Sequence, residues 1–269
     1  MNIVNFSFKA IIVSTFFLFN HTHIKASNLE EIEAIVFDLN GVVVETNIIE
    51  SFKFIGAMNF FYFSLETFLL LDSKYFLDAL NEVPSEIEKK SYHNNKQMPP
   101  IMIEWLIGHS NNKEILERTK KAINSSLRGR SEKIILNKLS KLTFNPSIFG
   151  KNFQLKKDTA QLIKRIKEKT KIKIFALSNW DKESISFLKE KFGNIFSLFD
   201  GFVISGEEKH LKPEKEIFEV LINRFNLKKD KILFYDDEIK NVESAENFGI
   251  QSFVFGDKTI STINKLIFE

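Results

Sequence analysis

Three apolar runs in this chain end in residues able to do chemistry. Ala34-Ile35-Val36-Phe37 leads into Asp38, Asn40 and Gly41. Ile172-Lys173-Ile174-Phe175-Ala176-Leu177 leads into Ser178-Asn179, and Lys231-Ile232-Leu233-Phe234-Tyr235 into Asp236-Asp237. Read alone, Asp38 could simply turn the chain, as many strand-end aspartates do. Taken together, carboxylates and a hydroxyl gathered at one place, with a cation, are what phosphoryl transfer requires. Carboxylate oxygens hold Mg²⁺ and leave room for water and phosphate, and a carboxylate can itself attack phosphorus.

The elements that must position these groups follow from the pattern around them. A continuous apolar run closed by turn residues reads as a strand buried on both faces. From about residue 155 helix and strand alternate. Helices are expected over Asp158–Thr170, Asp181–Phe192, Ile239–Phe248 and Ser261–Ile267, and another runs from a first-turn Pro213 to Phe225. Strands fall at 172–177, 201–205, 231–235 and 250–255, and Gly249 supplies a helix stop. Such alternation implies an α/β fold, a mostly parallel sheet with helices on both faces. Parallel strands present their C-terminal ends at one edge, so the three polar endings should converge there.

Residues 46–150 read differently. Apolar residues recur at helical spacing through 60–65 and 68–71, and again at 75–80, 101–107, 114–127 and 132–142. Pro84, Pro99-Pro100, Gly108 and Pro146 punctuate them, with no convincing strand alternation. This block is expected to form an α-helical lid over the sheet edge.

Residues 34–256 resemble the haloacid dehalogenase-like hydrolase superfamily, in the branch with a helical cap inserted after the first motif. The resemblance rests on Phe37-Asp38-Leu39-Asn40-Gly41-Val42-Val43, on Ala176-Leu177-Ser178-Asn179-Trp180, on Ser205-Gly206 through Leu211-Lys212-Pro213-Glu214, and on Phe234-Tyr235-Asp236-Asp237 with Asn241. It implies a three-layer, Rossmann-like core over 28–45 and 151–269 with a cap over 46–150. Asp38 would be nucleophile and metal ligand, and residue 40 would give the metal its backbone carbonyl. Asp237 would be the direct acidic ligand, supported by Asp236 and Asn241. Ser178 and the Asn179 amide would hold phosphate oxygens. Lys212 would pair with Asp38 and the phosphate, leaving Lys209 a decoy. The cofactor would be Mg²⁺ and the substrate a small phosphorylated metabolite.

One position departs from the family pattern. Its phosphatases carry a second Asp two residues after the nucleophile, as acid and base for the leaving group and the water. Here Asn40 stands there, and an amide donates a hydrogen bond without exchanging a proton near neutral pH. The expectation is a hydrolase with weakened acid–base help. The alternative is a degenerate member that binds a ligand or partner without turnover. The family's dehalogenases carry Tyr at that position and use no metal, which the acidic fourth motif opposes. Trp180 reads as packing, and His93, His109 and His210 as surface residues without a motif.

Composition sets outer bounds. The 269 residues are 43% hydrophobic and 27% charged, as in ordinary globular proteins. A net charge of +3, evenly spread, gives no sign of a nucleic-acid partner. With no Cys, thiol nucleophiles, disulfides and Cys-ligated metals are excluded. Residues 1–26 run from charged to apolar to polar, the order of a secretory signal with Ala26 at its end, which implies a periplasmic or secreted protein. A cytoplasmic or membrane-anchored protein is the alternative. The apolar stretch falls short of the roughly 20 residues of a comfortable span, so no stable membrane span is expected after cleavage. Oligomeric state is not written in the sequence.

Overall fold

The computed structural model describes residues 32–55, 73–93 and 96–269. Among these, nine strands occur: Ala34–Phe37 (β1), Val44–Thr46 (β2), Tyr92–His93 (β3), Lys96–Gln97 (β4), Phe153–Leu155 (β5), Lys173–Ser178 (β6), Gly201–Ile204 (β7), Ile232–Asp236 (β8) and Gln251–Val254 (β9). Five form one sheet in the order β7-β6-β1-β8-β9, and every neighbouring pair is parallel.

Side-chain alternation along the central strands builds two separate cores. Ala34 and Val36 of β1, Phe175 and Leu177 of β6, and Ile232 and Phe234 of β8 face one side. Ile35, Phe37, Ile174, Ala176, Leu233 and Tyr235 face the other. Helices Lys215–Phe225 and Ile239–Phe248 cover the first face through Ile217, Phe218, Leu221 and Ala245. Helices Lys157–Lys169, Ser184–Lys191 and Thr259–Phe268 cover the second through Leu162, Ile163, Ile185, Leu188 and Ile263. A fully buried Phe or Leu contributes about 1.5–3 kcal/mol, so unbroken apolar runs are stable only when both faces are covered. The result is the three-layer, Rossmann-like arrangement expected from the sequence.

The strands and helices of the sheet region fall within a few residues of the expected bounds. Ile239–Phe248 stops at Gly249, which takes the left-handed conformation (φ +95°). Pro213 is a correction. The helix begins at Lys215, and Pro213 lies before it, joined to Lys212 by a cis peptide bond.

β2 and β5 pair antiparallel, Val44 opposite Leu155 and Thr46 opposite Phe153, and bracket the insert at its base. Within it lie helices Ile48–Ile55, Ser73–Asn81, Pro100–Leu106, Asn112–Ser125, Arg130–Phe144 and Pro146–Lys151. Asn111 and Glu114 cap the start of Asn112–Ser125 reciprocally: the Asn111 side chain accepts from the Glu114 amide at 3.0 Å, and Glu114 accepts from the Asn111 amide at 3.2 Å. Leu80, Ile101, Trp105, Ile115 and Phe144 form the insert's own core. The insert is not wholly helical, because β3 and β4 form a small antiparallel hairpin. The helical periodicity read at 60–65 and at 68–71 lies outside the described residues, as do residues 1–26. No helix among the described residues is long and apolar enough to cross a membrane.

Candidate active site

Strand register brings the reactive groups together. Phe37 is level with Ala176 on one side and Tyr235 on the other. Asp38, Ser178 and Asp236 therefore leave the sheet at nearly the same height. The Asp38 amide donates to the Tyr235 carbonyl at 2.9 Å, fixing the nucleophile candidate against the acidic strand.

After Asp38 the chain turns tightly. The amides of Val43 and Val44 both donate to the Leu39 carbonyl at 2.8 Å, and the Gly41 amide donates to Val44 at 2.8 Å. Gly41 has φ +78°, and a Cβ there would collide with the Asp237 carboxylate. Glycine is therefore needed twice, for the left-handed turn and for the close approach of Asp237. Lys156, just past β5, donates from Nζ to the Gly41 carbonyl at 2.7 Å and so ties the insert's base to this turn. Asn40 lies on the turn with its side chain exposed.

Lys212 is the buried cation of the site. Its Nζ lies 2.8 Å from Asp38 Oδ1 and 2.5 Å from Asp236 Oδ2, and the residue is 1% exposed. Lys209, by contrast, points away, donating to the Gly108 carbonyl of the insert. Asn179 holds the Lys212 backbone on both sides: Oδ1 accepts from the Lys212 amide at 2.7 Å and Nδ2 donates to its carbonyl at 2.9 Å. The Asn179 carboxamide is thus committed to positioning Lys212, and an anion would meet residue 179 through its backbone N–H. Ser178 Oγ is buried with no hydrogen-bond partner among the described residues. A buried hydroxyl in that state is a donor ready for an anion.

The two acidic-motif residues have separate tasks. Asp236 is fully buried and engaged by Lys212, by Asn241 Nδ2 at 3.1 Å to each oxygen, and by the Glu238 amide at 2.8 Å. Asp237 is exposed and rests over Gly41. Asp38, Asp236 and Asp237 each offer an oxygen within 4.8 Å of the others. All donors are hard oxygens, the set that suits Mg²⁺ or Ca²⁺. Three carboxylates face one ammonium, so when all are ionised the cluster carries surplus negative charge that a divalent cation would offset. The residues fit such an ion.

That crowding shows in the proton affinities. Burial pushes Asp38 up to about 6, with Lys212 opposing and Asp236 and Asp237 adding to the rise. Burial and the neighbouring Asp236 also raise Asp237. Burial works against the charge on Lys212, yet Asp236 and Asp38 outweigh it and its pKa is raised. Lys212 is therefore a permanent cation here.

The insert reaches the same edge. Ser205 Oγ donates to the Leu106 carbonyl at 2.6 Å, and the Asn112 amide donates to Glu183 at 2.9 Å. Lys89 pairs with Glu214 at 2.7 Å, and Ile103 and Ile107 pack on Leu211 beside Lys212. His93 lies on the surface, as expected of a residue with no motif behind it, and its Nδ1 lies 2.7 Å from Glu238 Oε1, next to Asp237. Glu238 raises the His93 pKa, with Asp237 and Asp38 contributing at longer range. No sequence motif could have revealed this, since it depends on a hairpin meeting a loop about 145 residues away. His109 and His210 sit beside Glu86 and Glu214 as partly exposed residues. Trp180 is buried against Phe149 and Phe153, the packing role expected of it.

A family model for haloacid dehalogenase-like hydrolases matches residues 32–249, and the chain belongs to that family. Its fold is similar to that of a HAD family enzyme from Bacteroides thetaiotaomicron (TM-score 0.59, 15% identity, covering 87% of this chain and 98% of that one). A predicted HAD-like family hydrolase from Porphyromonas gingivalis aligns at 20% identity and TM-score 0.55, over 89% of this chain and 99% of its own. The Bacteroides enzyme in complex with magnesium and inorganic phosphate aligns at 16% identity and TM-score 0.53, over 84% and 94%. At these identities the likeness is one of fold.

Proposed function

We propose that this hydrolase is a Mg²⁺-dependent phosphatase of small phosphate monoesters, working through a phosphoryl group carried on Asp38. The observation that carries the reading is the buried cluster in which one lysine, Lys212, faces Asp38, Asp236 and the nearby Asp237. The magnesium and phosphate held by the Bacteroides enzyme of the same fold support it.

Each residue has a task in that reaction. Asp38, aligned by its amide bond to Tyr235, presents an oxygen to phosphorus. The Asp38 O–P bond forms as the ester P–O bond breaks, and water then cleaves the acyl phosphate to return Asp38 and release phosphate. Lys212 and Ser178 Oγ would take the phosphoryl oxygens as their charge develops. Asp38, the residue 40 carbonyl, Asp237 and, behind them, Asp236 would hold Mg²⁺, which supplies charge neutralisation at those oxygens. The insert, docked over the edge, would act as a cap that excludes water. Residues 1–26 extend the proposal to an exported enzyme, checked by sequencing the N-terminus of the protein from the cell envelope.

Hydrolysis of p-nitrophenyl phosphate by wild type and Asp38→Asn, with Mg²⁺ or with a chelator, tests the reading. Turnover should need both Asp38 and the metal. Equal inertness of the two proteins would instead favour a binding protein built on this fold.

A further inference from the structure

We propose that His93 of the insert is the acid–base group for the leaving group, filling the role for which Asn40 has no exchangeable proton. The inference rests on the phosphatase reading above and deepens it.

Four observations meet at this residue. The turn after β1 offers only an exposed carboxamide where a proton donor is needed. The β3–β4 hairpin is seated on the loop after β8 by two contacts that bracket Ile239: His93 Nδ1 lies 2.7 Å from Glu238, and Lys240 Nζ lies 4.1 Å from the centre of the Tyr92 ring. Glu238 is itself anchored, since its amide donates to Asp236 Oδ1 at 2.8 Å. The imidazole is thereby referenced to the acidic pair at the sheet edge. Finally, the His93 side chain is 53% exposed, so a substrate can reach it.

A carboxylate on Nδ1 fixes the ring tautomer, so Nε2 is the nitrogen that would exchange a proton with the substrate. On the acidic side His93 contacts Glu238, and Asp237 and Asp38 act on its charge at longer range. Lys240, beside Tyr92, and Lys96, its partner across the hairpin, are the nearby cations. The protonated ring would give its Nε2 proton to the ester oxygen as the P–O bond breaks and the Asp38 O–P bond forms. Neutral Nε2 would then take a proton from the water that attacks phosphorus, as the Asp38 O–P bond breaks. The ring ends the cycle protonated, and the proton count closes.

The test uses leaving groups of unequal need. p-Nitrophenolate leaves without protonation, whereas the alkoxide of glycerol phosphate does not. In the full-length protein, His93→Gln should lower turnover of glycerol phosphate by about 10²–10⁴-fold, the usual worth of general acid–base catalysis. The pre-steady-state release of p-nitrophenolate, which reports phosphoryl transfer to Asp38 alone, should change little. Asn40→Asp in the His93→Gln background should restore the alkyl ester, and thermal melting of each variant confirms that it folds. An equal loss in the p-nitrophenolate burst, or no loss on glycerol phosphate, would overturn the role of His93. If wild type hydrolyses neither ester, or if Asp38→Asn is as active as wild type, the phosphatase reading itself fails, and that outcome is distinct.

Discussion

The sheet edge and the insert hairpin meet at one site but are built to different rules. At the edge, Asp38, Lys212 and Asp236 are buried, held by backbone bonds and by Asn179 and Asn241. At the hairpin, Tyr92, His93, Lys96 and Gln97 are all exposed, and the docking contacts are an ion pair and a cation over a ring. A preorganised, low-dielectric cluster suits charge stabilisation that must not vary. A lightly held hairpin suits a contact that must adapt to the leaving group. On the proposed reading, the chemistry common to the reaction would sit on the strands, and whatever distinguishes substrates would sit on the insert.

The contrast can be broken by mutation, and the largest effect is expected at the edge. Lys212→Ala leaves Asp38 and Asp236 buried without their cation, which should cost about 3–5 kcal/mol of stability and abolish turnover. Chemical denaturation and a phosphatase assay would read both. Gly41→Ala comes next. A Cβ in the left-handed turn costs about 1–2 kcal/mol, and it would displace Asp237. Turnover should fall by more than about tenfold, with a higher Mg²⁺ requirement in titrations.

The third effect is on pH dependence. Asp38 binds its proton more tightly in the folded protein, up to about 6 against the ordinary 3.8. Stability of the metal-free protein should therefore fall as pH rises from about 4 to 6 and stay lower above that window. Asp38→Asn removes this contribution, so its metal-free melting temperature at neutral pH should exceed that of wild type. Thermal melts across that range, with a chelator present, would show it. The smallest effect belongs to the insert. Lys89→Ala breaks a partly exposed pair with Glu214 and should cost about 0–1 kcal/mol. A loss as large as that of Lys212→Ala would erase the contrast.

The same division decides what was legible in the sequence. β1, β6 and β8 could be read because burial on both faces forces continuous apolar runs, and their polar endings then stand out. The reading of Lys212 rather than Lys209 rests on its place before proline, and in the structure Lys212 makes two ion pairs, with Asp38 and Asp236. The task of the Asn179 carboxamide was hidden, because it depends on a loop 33 residues away in sequence. The β3–β4 hairpin was invisible: two-residue strands of exposed polar and aromatic side chains leave no period to detect. His93 was missed with it. Pro213 was misplaced because proline fits a helix start and the turn before one equally well.

The central claim, that Asp38 carries the phosphoryl group, is tested most directly by trapping. Wild type would be quenched in acid during turnover of p-nitrophenyl phosphate with Mg²⁺, digested, and its peptides mapped by mass spectrometry. The account expects one phosphorylated site, Asp38, and none in Asp38→Asn. Steady turnover with no phosphorylated peptide, or with the label on another residue, would contradict it.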